Sequence, residues 1–436
     1  MNEKTASICP VCRKTLPARR ILKSDGIYLV RSCPEHGEFE TLIWLNSDVQ
    51  ALQWDKWTLE NADQMLAVRE GTCPHHCDTC QDHQQQACCV LIEVTERCNQ
   101  HCAFCFATSK EGQGQDLGLT ELEGIYDNLL TRTGSRPYNI QLSGGEPTLN
   151  QDLAKMIRMG KDKGFPYIQL NTNGLLMGED LSLAKKLKAA GLSSVFLQFD
   201  GTEDAIYQKI RGQKLFAKKQ RAIDQCRKAD LGVVLVVTVV PGVNDGHLRE
   251  ILDFAVENSP AVRGIHYQPV SYFGRFPGNI ANARRLTTPE LIEKLVAQSN
   301  GQFAVDNFIP LASGHPRCSF HGDFKRVDNR LIPVTKQKKC GCSGSNIEKA
   351  RDYIEKKWSY KALNPVEDDW DEILNKIHQE SFSITAMGFQ DQGNLDLERL
   401  KKCRVMIATK EQTLIPFCAY NILYRGEKHA EDSESR

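Results

Sequence analysis

The chain has 436 residues, with 55 Lys plus Arg balanced by 55 Asp plus Glu, so its formal net charge is zero. That balance argues against a nucleic-acid partner held through a broad basic surface, and the length allows two or three domains with a sizeable core. No apolar run is long enough to span a membrane, and the polar start MNEKTASICPVCRK lacks the apolar middle of a signal peptide; a cytoplasmic location is expected.

The 17 cysteines are the informative feature. They cluster at spacings of three and four residues in a long chain, where several separate disulfides are hard to form but one ion or cluster is easily reached. Metal or iron–sulfur ligation is the expected use.

In chain order, residues 1–45 carry CPVC and CPEHG between short alternating stretches, which predicts a small β-ribbon. Cys9, Cys12, Cys33 and His36 make a two-knuckle site for zinc or for a mononuclear iron, with His36 as an ordinary surface histidine the alternative. Residues 47–69, with Trp54 and Trp57, read as a helix. Residues 71–89 have no periodic pattern and hold Cys73, Cys77, Cys80, Cys88 and Cys89.

Six apolar runs follow: VLIEVT (90–95), YNIQLS (138–143), YIQLN (167–171), SVFLQF (194–199), VVLVVTVV (233–240) and IHYQPV (265–270). Helix-compatible segments separate them near 120–131, 150–163, 179–190, 215–229 and 247–258. This alternation predicts an α/β fold, a partial (β/α)6 TIM-like barrel, with its active site at the carboxyl ends of the strands. His266 and Tyr267, at the end of the sixth run, could flank a substrate. Cys226, inside an amphipathic segment, reads as core. Past residue 300 the pattern becomes irregular, apart from a helix expected at 346–360, and a smaller C-terminal auxiliary-cluster domain is expected. The domains are then 1–70, 71–89, 90–300 and 301–436.

The spacing Cys-x3-Cys-x2-Cys occurs twice, at Cys73, Cys77, Cys80 and at Cys98, Cys102, Cys105. Only the second triplet directly follows a barrel strand, and SGGEP (143–147) ends the next one. A structural zinc site would leave that glycine–acid turn unexplained.

CNQHCAFC, LSGGEP and LNTNG, in this order, resemble the radical S-adenosylmethionine (SAM) superfamily over about residues 88–275. The resemblance implies a [4Fe–4S] cluster on Cys98, Cys102 and Cys105 with one iron open to SAM. It also implies reductive cleavage of SAM to a 5′-deoxyadenosyl radical, and an electron donor such as flavodoxin or ferredoxin. Gly144 and Gly145 would admit the methionyl part, Glu146 would accept from its ammonium, and Phe104 would contact adenine. Asn171, Gln198 and Thr238 would contact the ribose or carboxylate, with satisfied core polar residues the alternative for the last two.

The N-terminal site, the connector and EVTERCNQHCAFCFA are similar to a branch that includes tetraether-lipid synthases and hydroxymethyl-dihydropterin methyltransferase-like proteins. QPVSYFGR and FQDQGNLDLERL…IPFCAYN resemble the bacterial TrsS-type group of that branch. The branch implies further metal centres and reactions that alkylate, methylate or couple carbon, on a substrate the residues do not identify. Cys73, Cys77, Cys80 and Cys88 would close an auxiliary [4Fe–4S] cluster, or a zinc knuckle. Cys318, Cys340, Cys342 and Cys418 would hold a second, with Cys403 spare and free thiols the alternative. A peptide-modifying maturase and a non-catalytic iron–sulfur electron-transfer protein are the rival readings.

Overall fold

The computed structural model describes residues 2–46, 54, 72–78, 82–109, 111–133, 136–278, 280, 283–311, 315–335, 347–360 and 369–425. Cys80, Cys340 and Cys342 lie outside these residues, as do the polar tail and all of the helix expected at 47–69 except Trp54.

The N-terminal segment is a four-stranded antiparallel sheet of β1 (Asn2–Ile8), β2 (Thr15–Leu22), β3 (Gly26–Cys33) and β4 (Gly37–Leu45), in sequential order. It docks through apolar contacts, with Ile27, Leu29, Ile43 and Trp44 joining the barrel core, and through polar ones. Ser7 Oγ donates to Leu395 O at 2.6 Å, Arg31 and Thr41 both donate to Gly393 O at 2.7 Å, and Arg20 pairs with the buried Asp396 at 2.6 Å.

The six expected strands are β5 (Cys89–Thr95), β6 (Asn139–Gly144), β7 (Ile168–Thr172), β8 (Ser194–Gln198), β9 (Gly232–Val239) and β10 (Val262–Pro269). They pair in parallel and in sequence order. Outside them lie α1 (Leu119–Arg132), α2 (Leu153–Asp162), α3 (Leu175–Glu179), α4 (Leu181–Ala189), α5 (Asp204–Arg211), α6 (Phe216–Lys228), α7 (Leu248–Glu257) and α8 (Thr288–Gln298). One apolar core joins the strands to this layer. Leu170, Val195, Leu197, Val233 and Leu235 contribute to it from the strands, and Cys226 lies in it as expected.

The segment after residue 300 builds no sheet of its own among the described residues. β11 (Ile309–Pro310), β12 (Ser319–Val327), β13 (Arg330–Pro333), β14 (Ser381–Met387), β15 (Val405–Ala408) and β16 (Leu414–Pro416) all join the barrel sheet. β14 pairs in parallel with β10 and β15 in parallel with β5, so two strands extend the six-strand array, one at each edge. Both edges then continue antiparallel, β12 on β14 and β16 on β15.

The same segment supplies α9 (Ile347–Trp358), α10 (Asp369–Glu380), α11 (Leu397–Lys401) and the short α12 (Phe417–Ala419), which runs into a π-helical turn, Tyr420–Tyr424. α9 plugs the amino end of the barrel. Ile354 and Trp358 pack on Tyr167, Phe196 and Val234, which lie on the sheet face opposite the helix layer. Gly232 makes room for the plug: a Cβ there would lie 2.5 Å from Trp358 O. α9 thus fills the floor of the lumen at the amino ends of the strands.

Candidate active site and metal centres

Cys98, Cys102 and Cys105 occupy the loop leaving β5. Their thiols are buried or half-buried. The loop is held from three sides by its backbone. Gly145 N donates to Thr95 O and Glu146 N donates to Arg97 O, both at 2.8 Å. Cys105 and Arg275 exchange a pair of 2.9 Å backbone bonds, and the Arg275 guanidinium donates to Cys102 O at 2.7 Å. Arg211 Nη1 donates to Phe104 O at 3.1 Å.

The glycine pair is required by this packing. A Cβ on Gly144 would lie 2.2 Å from Thr95 O, one on Gly145 2.1 Å from Arg97 O, and Gly144 has φ +130°. The two glycines therefore bring the end of β6 onto the cysteine loop itself.

Glu146 is buried, and its carboxylate has four protein donors. Oε1 accepts from Thr148 N (3.1 Å), Thr148 Oγ1 (2.6 Å) and Thr172 Oγ1 (2.6 Å); among the described residues Oε2 accepts from Asn173 N alone (2.7 Å). Oε2 thus keeps accepting capacity. Asn171, on β7, donates weakly to Gln141 Oε1 at 3.5 Å, while its Oδ1 is buried without a partner. Phe104 joins an apolar group with Ile210, Val240, Val270 and Tyr272 at the strand ends.

Gln198 and Thr238 are already engaged. Gln198 Oε1 accepts from Lys219 Nζ at 2.6 Å, and Thr238 Oγ1 accepts from Arg211 Nη2 at 2.9 Å. Behind them lies a buried charge group that sequence reading missed. Arg211 grips Asp200 through two bonds of 2.7 and 2.9 Å. Lys219 is fully buried and also donates to Asn173 O at 2.6 Å; burial pulls its ammonium down to about 7. Asp200 lies two residues past β8 and directly after the apolar run SVFLQF, in the strand-end position that marks a site residue in this fold, so it was findable. Arg211 and Lys219 reach in from helices, and only the folded chain places them here.

His266 is not at the barrel mouth. It sits in the floor, with Nδ1 2.8 Å from Thr385 Oγ1 and its ring beside Phe196, and burial lowers its pKa to about 3. Tyr267 points into the helix-facing core.

At the ribbon, Cys9 and Cys12 turn out of β1 while Cys33 and His36 close the β3–β4 turn. Their donor atoms all lie within 4.8 Å of one another, the one group this tight among the described residues. Cys9, Cys12, Cys33 and His36 thus form a complete four-donor set.

The other described cysteines fall into separate packing groups. Cys73 and Cys77 share an apolar cluster with Cys89 and Cys418, whereas Cys88 packs with Tyr167 and Trp358 beneath the barrel. Cys403, expected as the spare, has Cys318 as a neighbour. Burial raises both the Cys403 and Cys418 thiols, and each feels the other or Cys318 as a further negative neighbour. Arg399 donates to Cys318 Sγ at 3.3 Å.

A family model described as the radical SAM superfamily matches residues 92–255, and one for the HMPTM N-terminal zinc ribbon domain matches residues 1–45. Over 98% of its length the chain is 32% identical to the 7,8-dihydro-6-hydroxymethylpterin dimethyltransferase of Methanocaldococcus jannaschii, covering 95% of that protein. The chain belongs to the radical SAM superfamily. It is also 28% identical, over 41% of its length, to the GTP 3′,8-cyclase of Nautilia profundicola, of which it spans 55%. A solved structure of anSMEcpe with bound AdoMet is 21% identical over 49% of this chain and 59% of that one, at a TM-score of 0.40.

This radical SAM enzyme therefore uses a [4Fe–4S] cluster and SAM, and carries a metal site in its ribbon. The residues fit both groups. The Cys98 thiol is pushed up to about 12 by burial first, and by Glu146, Cys102 and Cys105 as negative neighbours. A thiol held neutral in this way would be ionised by a strongly cationic centre, which an iron–sulfur cluster would provide. No helix of the described chain is long and apolar enough to cross a membrane.

Proposed function

We propose that Cys98, Cys102 and Cys105 ligate the cluster and that the enzyme cleaves SAM reductively, releasing a 5′-deoxyadenosyl radical that starts alkylation or methylation at carbon on a small molecule. When bound, the cluster supplies the electron that breaks the sulfonium C–S bond. The observation that carries this reading is the backbone union of the cysteine loop with the Gly144–Glu146 turn: two 2.8 Å hydrogen bonds tie the loop to the turn, and the Cys98 thiol has the Glu146 carboxylate as a negative neighbour.

Glu146 Oε2 receives the methionyl ammonium and Phe104 borders the adenine. Asn171 Oδ1 accepts from the ribose. Gln198 and Thr238 act one step back, holding Lys219 and Arg211. Similarity to a dimethyltransferase along the whole chain favours methylation of a small molecule over modification of a peptide.

Auxiliary clusters are assigned from packing. Cys318, Cys403 and Cys418 supply one, with Cys403 a ligand rather than a spare. Cys73 and Cys77 supply the other, and their shared apolar cluster favours Cys89 over Cys88 as a further ligand. An external flavodoxin or ferredoxin provides electrons.

The test is anaerobic reconstitution with iron and sulfide, followed by SAM and dithionite. 5′-Deoxyadenosine is the expected product, and its absence from fully loaded protein overturns the reading.

A further inference from the structure

The short helix α11 stands where the ribbon meets the C-terminal cysteines, and it is held at its amino end. Asp396 caps it, accepting from Glu398 N at 3.1 Å, and the same carboxylate is gripped by Arg20 and by Thr5 Oγ1 (2.8 Å) of the ribbon. Leu397 and Leu400 turn into the apolar cluster that holds Cys418. The helix thereby carries Arg399 into the interior.

Arg399 is buried, and its Nε has no hydrogen-bond partner. Among the described residues no carboxylate forms an ion pair with it. Asp396 is engaged by Arg20 and Thr5 and acts on Arg399 only at longer range, and Glu398 pairs with Lys401 at 3.2 Å. What Arg399 touches is sulfur. Its Nη2 donates to Cys318 Sγ at 3.3 Å, and Cys418 is a further neighbour. His315, close by, is held neutral by burial and adds no charge.

A guanidinium buried away from carboxylates is unfavourable unless another negative group faces it. Cys318, Cys403 and Cys418 become that group once they are thiolates. They arrive from three places: just before β12, two residues before β15, and in α12. Gln390 N donates to Cys418 Sγ at 3.2 Å, a second N–H aimed at sulfur. A neutral thiol is a weak acceptor, so two such donors, one of them charged, fit cluster-bound thiolates better than free thiols.

Hydrogen bonds to the sulfurs and the net charge around them set the potential of an iron–sulfur cluster. Reduction adds one negative charge, so a fixed cation beside the cluster favours the reduced form. We propose that Arg399 is the charge-compensating donor of an iron–sulfur cluster on Cys318, Cys403 and Cys418, and that it raises the reduction potential of that cluster. The proposal rests on the auxiliary-cluster assignment made above.

The test is a redox titration followed by electron paramagnetic resonance on the full-length enzyme, reconstituted anaerobically. The signal to follow is the one that Cys418→Ala removes. Arg399→Gln should make that cluster about tenfold harder to reduce, a fall of ~59 mV in midpoint for a one-electron couple. Arg399→Lys keeps the charge but not the planar fork, so its midpoint should fall by less. It decides the question if the glutamine variant does not retain the cluster. The signal that Cys102→Ala removes should keep its midpoint in both variants. A midpoint at or above that of the wild type in the variants that hold the cluster overturns the proposal, and so does an equal fall at the mouth cluster. Iron analysis separates the two claims. If Cys418→Ala loses no iron and no signal, the auxiliary-cluster assignment fails and takes the proposal with it; a cluster that is present but unmoved by Arg399→Gln rejects the role of Arg399 alone.

Discussion

The ribbon and the barrel mouth both gather cysteines, but they do so in opposite ways. The ribbon draws all four donors from residues 9–36, and two tight turns bring them within 4.8 Å of one another. The mouth draws three thiols from one loop and then needs Gly145, Arg211 and Arg275, spread over more than a hundred residues, to hold that loop in place. A closed four-donor set is what a structural ion requires, while an incomplete set leaves a position for a reactant. The first kind of site follows from local spacing. The second exists only once the barrel has assembled.

The sharpest way to break this contrast is Cys102→Ala. It should remove about four irons per chain, one cubane's worth, and reduce SAM cleavage to background, with ribbon metal unchanged. Iron, zinc and 5′-deoxyadenosine assays on anaerobically purified protein check this. Persistent cleavage would mean the mouth is not the site of chemistry.

The converse change is Cys33→Ser. The ribbon should lose its ion, and with it a folding contribution of about 10 kcal/mol in favourable zinc sites. Limited proteolysis should then cut within residues 2–46 while the barrel keeps its iron. Equal protease resistance with and without the ion would show that the ribbon folds on its own hydrogen bonds.

Asp200→Asn tests whether the mouth depends on distant parts. It leaves the buried Arg211 without its carboxylate, and breaking such a pair costs about 3–5 kcal/mol. Urea denaturation should register that loss, and the cysteine loop should bind iron more weakly because Arg211 also holds Phe104 O. A variant as stable as the wild type would mean that the pair is dispensable to the assembly.

The same contrast explains what could be read from sequence. The ribbon donors, the cysteine loop and the six central strands rest on short spacings or on runs of Val, Ile and Leu, and they were legible. β14 was not, because Ser383 and Thr385 bond to the floor residues Trp358 and His266 and leave SFSITAM without a continuous apolar run. β15 has four residues, too few for a period to show. Gly145 was readable as a close approach, but its partner, Arg97 O, was not. Arg211 and Lys219 lie on helices with ordinary amphipathic patterns, so nothing local distinguishes them from surface cations. The approach of Cys403 to Cys318 and Cys418 was not readable either, because they are 85 and 15 residues away in sequence.

The smallest expected effect concerns the barrel floor, which the ribbon has no counterpart to. His266 is held neutral, with its pKa lowered from 6.5 to about 3 by burial. Between these values the unfolded chain binds a proton that the folded chain does not, so stability falls as pH drops below about 6.5 and is fully present above it. At pH 5 this single group should cost about 2 kcal/mol relative to pH 8. His266→Phe keeps the ring contact with Phe196 and removes the titration, so its stability should be flatter over that range by the same amount. If the two proteins lose stability in parallel between pH 6.5 and pH 5, water or an acidic partner reaches the floor, and α9 does not seal the lumen at its amino end.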